Sequence, residues 1–377
     1  MKILLFLFLV NWNFLIQTLV VSATFETVPP NCTLTGNSLA NLTSITSNCQ
    51  EILIRNFEVP SGKNIQLNVQ DGATVFFADK VTFGYGEWEG YLITIRGNNL
   101  KIIGVPGNLF DCNGSRWWDG LGGNGGKAKP KFLRLTGVTN SIVNGLNIKN
   151  TPKHCLAIKS CKNVTISNVT IDDREGDFNG GHNTDAFGIS ESDEITITNC
   201  VVYNQDDCLA LTSGTNTVFK HNYCSGGHGI SIGSIGNHRV NEVDNFYVKN
   251  CTVVNSANGI RIKTNFNTTG VIKNVTYEDV TVGNITNYGV VIRGDYLNGG
   301  ATGTPTPGFK ISNITLRNVH GTVQPTAGNV LIILSEGVAS NWTFEDVNIV
   351  GGLKKVNCTG IPEDSGFSCN NPSVLTI

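Results

Sequence analysis

Charged side chains are scarce in this chain, at 15% of 377 residues, where ordinary globular domains carry about 25%. A disordered tail is excluded, because such segments combine high charge with few apolar residues and this chain is 40% apolar. A basic field is also missing: 27 Lys and Arg stand against 29 Asp and Glu, for a net charge of −2. No nucleic-acid partner is therefore expected, and any anionic ligand has to be met by a few local cations. No spacing of the Cys and His residues resembles a zinc site, and no metal or cofactor is expected. What is abundant is glycine, 43 residues, which points to many tight turns between strands and away from a helical bundle or coiled coil.

The one apolar run of note lies at the start. Lys2 supplies a positive end, Ile3 to Val10 the apolar stretch, and Val21, Ser22 and Ala23 a small-residue cleavage site, the pattern of a secretory signal peptide over residues 1–23. Asn11, Asn13 and Gln17 interrupt the run, and nothing later approaches the ~18 apolar residues a membrane span requires. The mature protein, 24–377, is expected outside the cell as a monomer with no membrane attachment. Twelve N-x-S/T sequons, from Asn31 to Asn357, suit that compartment. So do the Cys pairs 32/49, 208/224 and 358/369, each closing a short loop. The remaining five, Cys112, Cys155, Cys161, Cys200 and Cys251, leave at least one free thiol.

Apart from a possible short helix near Ser38 to Thr46, expected to cap the N-terminal end, no 3.6-residue apolar stripe appears. Short β-rich runs recur instead, beginning at Asn163, Glu194, Asn245, Asn274, Asn313 and Asn341, each two strands broken by Asn or Asp. A second line recurs with them: Asp185-AFGI, Asp207-CLAL, His228-GISI, Asn258-GIRI, Tyr288-GVVI and Asn329-VLII. Its steps are 22, 21, 30, 30 and 41 residues, a strand core that persists while insertions fall in turns. Repeats of this length without crossover helices predict an all-β, single-domain parallel β-helix, a solenoid whose strands pair with their equivalents one coil away.

In such a coil, equivalent residues stack at about 4.8 Å. Asp185, Asp207 and His228 then form a vertical row, each just before a strand whose alternate residues point inward. In the next coil Arg261 and Lys263 alternate with Ile260 and Ile262 and project outward from the same sheet. Asp206 adds a third carboxylate, and three acids so close cannot all ionise freely, so one is expected to have a raised pKa. Carboxylates flanking one bond, one acid and one base, are what glycoside hydrolysis needs, and the cations would bind a carboxylate on the sugar.

Other matches carry less. Gly229-Ile-Ser231-Ile-Gly233 has the G-x-S-x-G spacing, but Ser231 lies mid-strand and no helix follows. Gly120 to Gly125 has the G-x-G-x-x-G spacing without a βαβ context, so a flexible loop is expected. Lys127, Lys129 and Lys131 beside it, and the acidic group Asp172, Asp173, Glu175 and Asp177, are expected in solvated loops.

Asn183-Thr184-Asp185, Gln205-Asp206-Asp207, Gly227-His228-Gly229 and Arg261-Ile262-Lys263, in that order, resemble the four signature segments of the polygalacturonases, glycoside hydrolase family 28. Gly84-YGEWEG and Gly114-SRWWDG resemble the fungal-type endo-acting branch. The resemblance implies a right-handed parallel β-helix that hydrolyses the α-1,4 bonds of polygalacturonic acid, or pectin, with inversion and without a metal. It casts Asp206 as the general acid, Asp185 and Asp207 as the pair activating water, and His228 as support for the acid. Arg261 and Lys263 would grip the substrate carboxylate, with Asn183 and Tyr296 as further cleft contacts. A Ca²⁺-dependent pectate lyase and a pectin-binding protein without activity are the alternative readings, and endo or exo attack stays open.

Overall fold

The computed structural model describes residues 25–298 and 300–369; the expected signal peptide lies outside them. The described residues are mostly strand, 54%, with 6% helix. Among the described residues the strands form one 17-stranded and one 11-stranded sheet, and the ladders between successive coils are parallel. The expected helix is present over Leu42–Asn48, starting later than the sequence pattern suggests, with Leu42 and Ile45 buried.

The 11-stranded sheet carries the second line of the repeat. Its register runs Leu133, Leu156, Phe187, Leu209, Ile230, Ile260 and Val290 from coil to coil. Residues two further along each strand are also inward, so the pairs Phe187/Ile189, Leu209/Leu211, Ile230/Ile232 and Ile260/Ile262 are all 1% exposed or less. Each such side chain contributes roughly 1.5–3 kcal/mol by leaving water, and strict alternation of period two leaves the intervening residues facing outward. Tyr288 pairs with Gly328, not Asn329, so the last repeat step is one residue shorter than the sequence comparison suggests.

The corners explain the recurring asparagines. Asn163, Asn245, Asn274, Asn313 and Asn341 all have φ between 51° and 57°, a left-handed conformation that Asn tolerates better than most residues. Their amides join the coils: Asn245 donates to Asn216 Oδ1 at 2.7 Å, Asn313 to Asn274 Oδ1 at 2.8 Å and Asn341 to Asn313 Oδ1 at 3.2 Å. All twelve sequon asparagines are exposed, yet several are spent on this ladder.

Three disulfides close the expected loops, Cys32–Cys49, Cys208–Cys224 and Cys358–Cys369. The five other cysteines are buried and unpaired. Val201 pairs with Tyr223 and Tyr223 with Thr252, so a whole coil separates Cys200 from Cys251, as expected.

Candidate active site

The stacked row exists, and it extends one coil further than the sequence pattern indicates. Because Leu156 pairs with Phe187, Phe187 with Leu209 and Leu209 with Ile230, the residues two before them, His154, Asp185, Asp207 and His228, stand one above another. The next outward column is Ala157, Gly188, Ala210, Ser231 and Arg261. Small residues there let a ligand lie close to the sheet, between Arg134 one coil before Ala157 and Arg261 one coil after Ser231.

The two glycines around His228 are required by crowding. A Cβ on Gly227 would lie 2.1 Å from the Asp206 carbonyl oxygen, and one on Gly229, at φ +97°, would lie 2.4 Å from that of Gly259. Their absence of side chains lets the His228 N–H donate to the Asp206 carbonyl at 2.9 Å. Buried Asn204 fixes the same turn by donating Nδ2 to the carbonyls of Thr184, Asp206 and Asp207 at 2.9, 2.8 and 3.1 Å. Cys208–Cys224 ties the following residue to the coil above.

Asn183, Asp185, Asp206, Asp207, His228, Arg261, Lys263 and Tyr296 all line one cleft of about 1350 Å³. Asp206 Oδ1 lies 3.0 Å from His228 Nδ1 and accepts the Asp207 N–H at 2.7 Å, while Oδ2 accepts Asn183 Nδ2 at 2.8 Å. Asp207 accepts Lys263 Nζ at 2.8 Å and Ser231 Oγ at 2.6 Å, with Arg261 3.8 Å away. The Tyr296 ring faces both cations, 5.4 Å from Lys263 and 6.0 Å from Arg261. Asp185 has no such cation at hand; its nearest basic neighbour is His154 at 3.9 Å, an imidazole whose pKa is pushed down by burial and then by Lys131.

These surroundings separate the carboxyls. Burial first, then Asp206 and Asp207, hold the Asp185 pKa well above its ordinary value. For Asp206 burial is the largest single influence and would raise it. The hydrogen bond and charge of His228, with Lys263 and Arg261, together outweigh burial and hold it well below. One acid is raised, as expected, but in the unliganded site it is Asp185, because only Asp206 and Asp207 have strong donors. Asp206, Asp207 and His228 each offer a ligand atom within 4.8 Å of the others. Lys263 already occupies Asp207, however, and would repel a second cation, so the set suits proton transfer better than a metal.

Several residues outside the sequence-based set belong here. His154 sits in the row because Lys153-His154-Cys155-Leu156 repeats the Asp185 pattern one coil earlier. Ser231, passed over as a strand residue, faces outward with Arg261 by the same alternation, and its hydroxyl braces Asp207. The Gly120–Gly125 turn is not merely loose: Gly123 N donates to Asn183 Oδ1 at 2.9 Å, orienting the amide that reaches Asp206.

Two expectations are corrected. Lys129 is fully buried rather than solvated, because its ammonium finds Asp119 Oδ2 and the Lys127 carbonyl, each at 2.9 Å, and a paired charge tolerates burial. Asp173 is also fully buried, accepting the Thr151 N–H at 2.7 Å and its hydroxyl at 2.6 Å. Burial raises its pKa to about 7.

Residues 49–369 match the model of the glycosyl hydrolases family 28. The chain is 45% identical over 352 residues to a polygalacturonase of Penicillium griseoroseum, covering 93% of each chain. It is also 45% identical over 340 residues to endopolygalacturonase I of Aspergillus aculeatus, covering 90% of this chain and 89% of that one. Among solved structures, endopolygalacturonase I from Stereum purpureum complexed with two galacturonates superposes with a TM-score of 0.79 at 34% identity, covering 88% and 99% of the two chains.

Proposed function

The chain belongs to the glycosyl hydrolases of family 28, and from that membership we propose that it is a secreted endopolygalacturonase cutting the α-1,4 bonds of demethylated polygalacturonan with inversion. Asp206 acts as general acid and protonates the leaving glycosidic oxygen. Asp185 and Asp207, one coil apart at about 4.8 Å, hold the attacking water on the other face of the ring. His228 and Asn183 orient the acid, and Arg261 and Lys263, faced by Tyr296, receive the carboxylate of the sugar next to the cleaved bond.

The observation that carries this reading is the convergence of the three aspartates and the two cations on one cleft. A polyanion entering it meets Arg261 and Lys263 beside the acids, with Lys131, Lys159 and Arg239 elsewhere along the lining, which fits a galacturonan better than a neutral glycan. The cleft continues past the acids on both sides, from Asn124 to Arg239, so a polymer can lie across it without presenting an end. We read the coil stack of the described residues as a single right-handed solenoid capped by Leu42–Asn48, and the mature domain as 24–377. The right-handed preference of crossovers between parallel strands and the parallel pairing from coil to coil support this. The chain acts as a monomer, since it completes the cleft by itself.

The test is a product time course on polygalacturonic acid, with NMR of the first-formed reducing ends. Mixed short oligomers at early times, with β anomers appearing first, are expected. Monomer alone would mean exo attack, first-formed α anomers would mean retention, and unsaturated products would mean a lyase.

A further inference from the structure

Lys263 and Arg261 are already engaged in the unliganded protein. The ammonium stands 2.8 Å from Asp207 Oδ2 and the guanidinium 3.8 Å from Oδ1. The Lys263 and Asp207 side chains are only 6% and 3% exposed. These are the same two cations that, in the function proposed above, receive the sugar carboxylate. Two carboxylates then draw on one pair of cations in a place where water screens little, and each interaction there is several times stronger than in bulk water. Asp206 shares this field, and its backbone neighbour Asp207 donates an N–H to its Oδ1 at 2.7 Å.

We propose that the substrate's own carboxylate completes the acid: by drawing Lys263 and Arg261 from Asp207, it shifts the cluster's proton from Asp185 to Asp206. An uncharged sugar in that position leaves Asp206 without its proton. The inference rests on the reading above and concerns the same site, and it makes discrimination against a methyl-esterified ring a matter of acid strength as well as of binding.

The proton count closes. Before binding, the proton shared by the three carboxyl groups is favoured on Asp185 by burial and the two neighbouring carboxylates, against Lys263, which makes no ion pair with it. Asp206 is ionised, held so by His228, Lys263 and Arg261 against its burial. When the sugar carboxylate engages the cations, their field at Asp206 and Asp207 weakens, and with one more anion in the cleft the three acids hold their one proton more tightly, so that at a pH where it is partly lost binding draws it back. The proton passes through cleft water, leaving Asp185 ionised and Asp206 neutral. In the reaction Asp206 gives its proton to the glycosidic oxygen as the C1–O bond breaks. Water adds its oxygen to C1 and yields a proton to Asp185, which restores the starting distribution. Asp207, occupied by Lys263 and Ser231, holds the water without taking its proton. The groups facing Asp185 are Asp206, Asp207 and Lys263, His154, 3.9 Å away, whose pKa burial and Lys131 push down, and Lys131 itself. Those facing Asp206 are His228, Lys263 and Arg261.

The pH dependence of kcat/KM reports the free enzyme and that of kcat the bound complex. On oligogalacturonate the alkaline limb of kcat is expected to lie about one pH unit above that of kcat/KM. On an oligomer methyl-esterified only at the ring beside the cleaved bond, the two limbs should coincide and kcat should fall at saturation. If the ester is turned over too slowly, calorimetry in two buffers of different ionisation heat answers the same question. At the pH of the kcat/KM limb, digalacturonate should bind with net proton uptake and its dimethyl ester with none. Coincident limbs on oligogalacturonate, or equal proton uptake for acid and ester, would overturn the inference. Polygalacturonate left intact at every pH would instead overturn the activity itself.

Discussion

Asp206→Asn removes a transferable proton while keeping volume, and its Oδ1 can still accept from the Asp207 N–H and face His228, losing only the bond from Asn183 Nδ2. Turnover should fall by at least about 10²-fold, the usual worth of a general acid, while oligogalacturonate binding measured by calorimetry stays within a few-fold of wild type. A near-normal rate would remove Asp206 from the role of acid. Asp173 makes a different kind of prediction. Its pKa is raised from 3.8 in the unfolded chain to about 7 when buried, so the folded state prefers the neutral form. Its favourable contribution is complete below about pH 3.8 and is lost as the pH rises through about 7. Asp173→Asn keeps an acceptor for the Thr151 N–H and carries no charge. Its thermal unfolding should lack that part of the pH dependence, with a gain at pH 8 of at most about 4 kcal/mol. Equal midpoints for variant and wild type from pH 4 to 8 would show that Asp173 does not titrate in the folded protein.

Among the elements, the strand Leu209–Leu211 and its flanks bear the most constraint. Cys208 precedes it, and its bridge to Cys224 closes a loop with a sequence separation of 16, worth about 3 kcal/mol in the chain-entropy account. Replacing both cysteines by Ala should lower stability by roughly that amount and depress activity more than a Cys32/Cys49 double replacement, because only the former adjoins Asp207. Cys200 and Cys251, whose thiol pKa values burial pushes up to about 12, should resist alkylation until the protein unfolds. A Cys200–Cys251 crosslink found by non-reducing peptide mapping would contradict the coil register and the stacked row with it. The repeat was readable in the sequence because inward residues of neighbouring coils need the same apolar character. The one-residue error at Asn329 arose because GNVLII fits that pattern equally well in either frame until its partner strand is known. Asp173 and Lys129 were misjudged for a related reason. Asp and Lys in turns are normally solvated, and nothing local announces that Thr151 or Asp119 from elsewhere will supply the bonds that make burial tolerable.

For the whole molecule the pH profile is the broadest check. A cluster that must hold one proton among Asp185, Asp206 and Asp207 beside His228 should work best on the acid side of neutrality, and a flat rate up to pH 8 would contradict it. The long repeat steps place their extra residues at the cleft: the turn carrying Arg239 and the hairpin carrying Tyr296 both line it. Composition, periodicity and turn chemistry sufficed for the β class, the coil repeat and the three bridges, because each reflects a local rule, and the signature segments named residues that the structure brings to one cleft. The signs of the pKa shifts were decided only by the tertiary structure. Three aspartates are chemically alike in sequence, and what distinguishes them is which cation or hydrogen-bond donor each meets across coils. Lys263 and Ser231 converge on Asp207, His228 and Asn183 on Asp206, and Asp185, buried beside two other carboxylates, is left with its pKa raised.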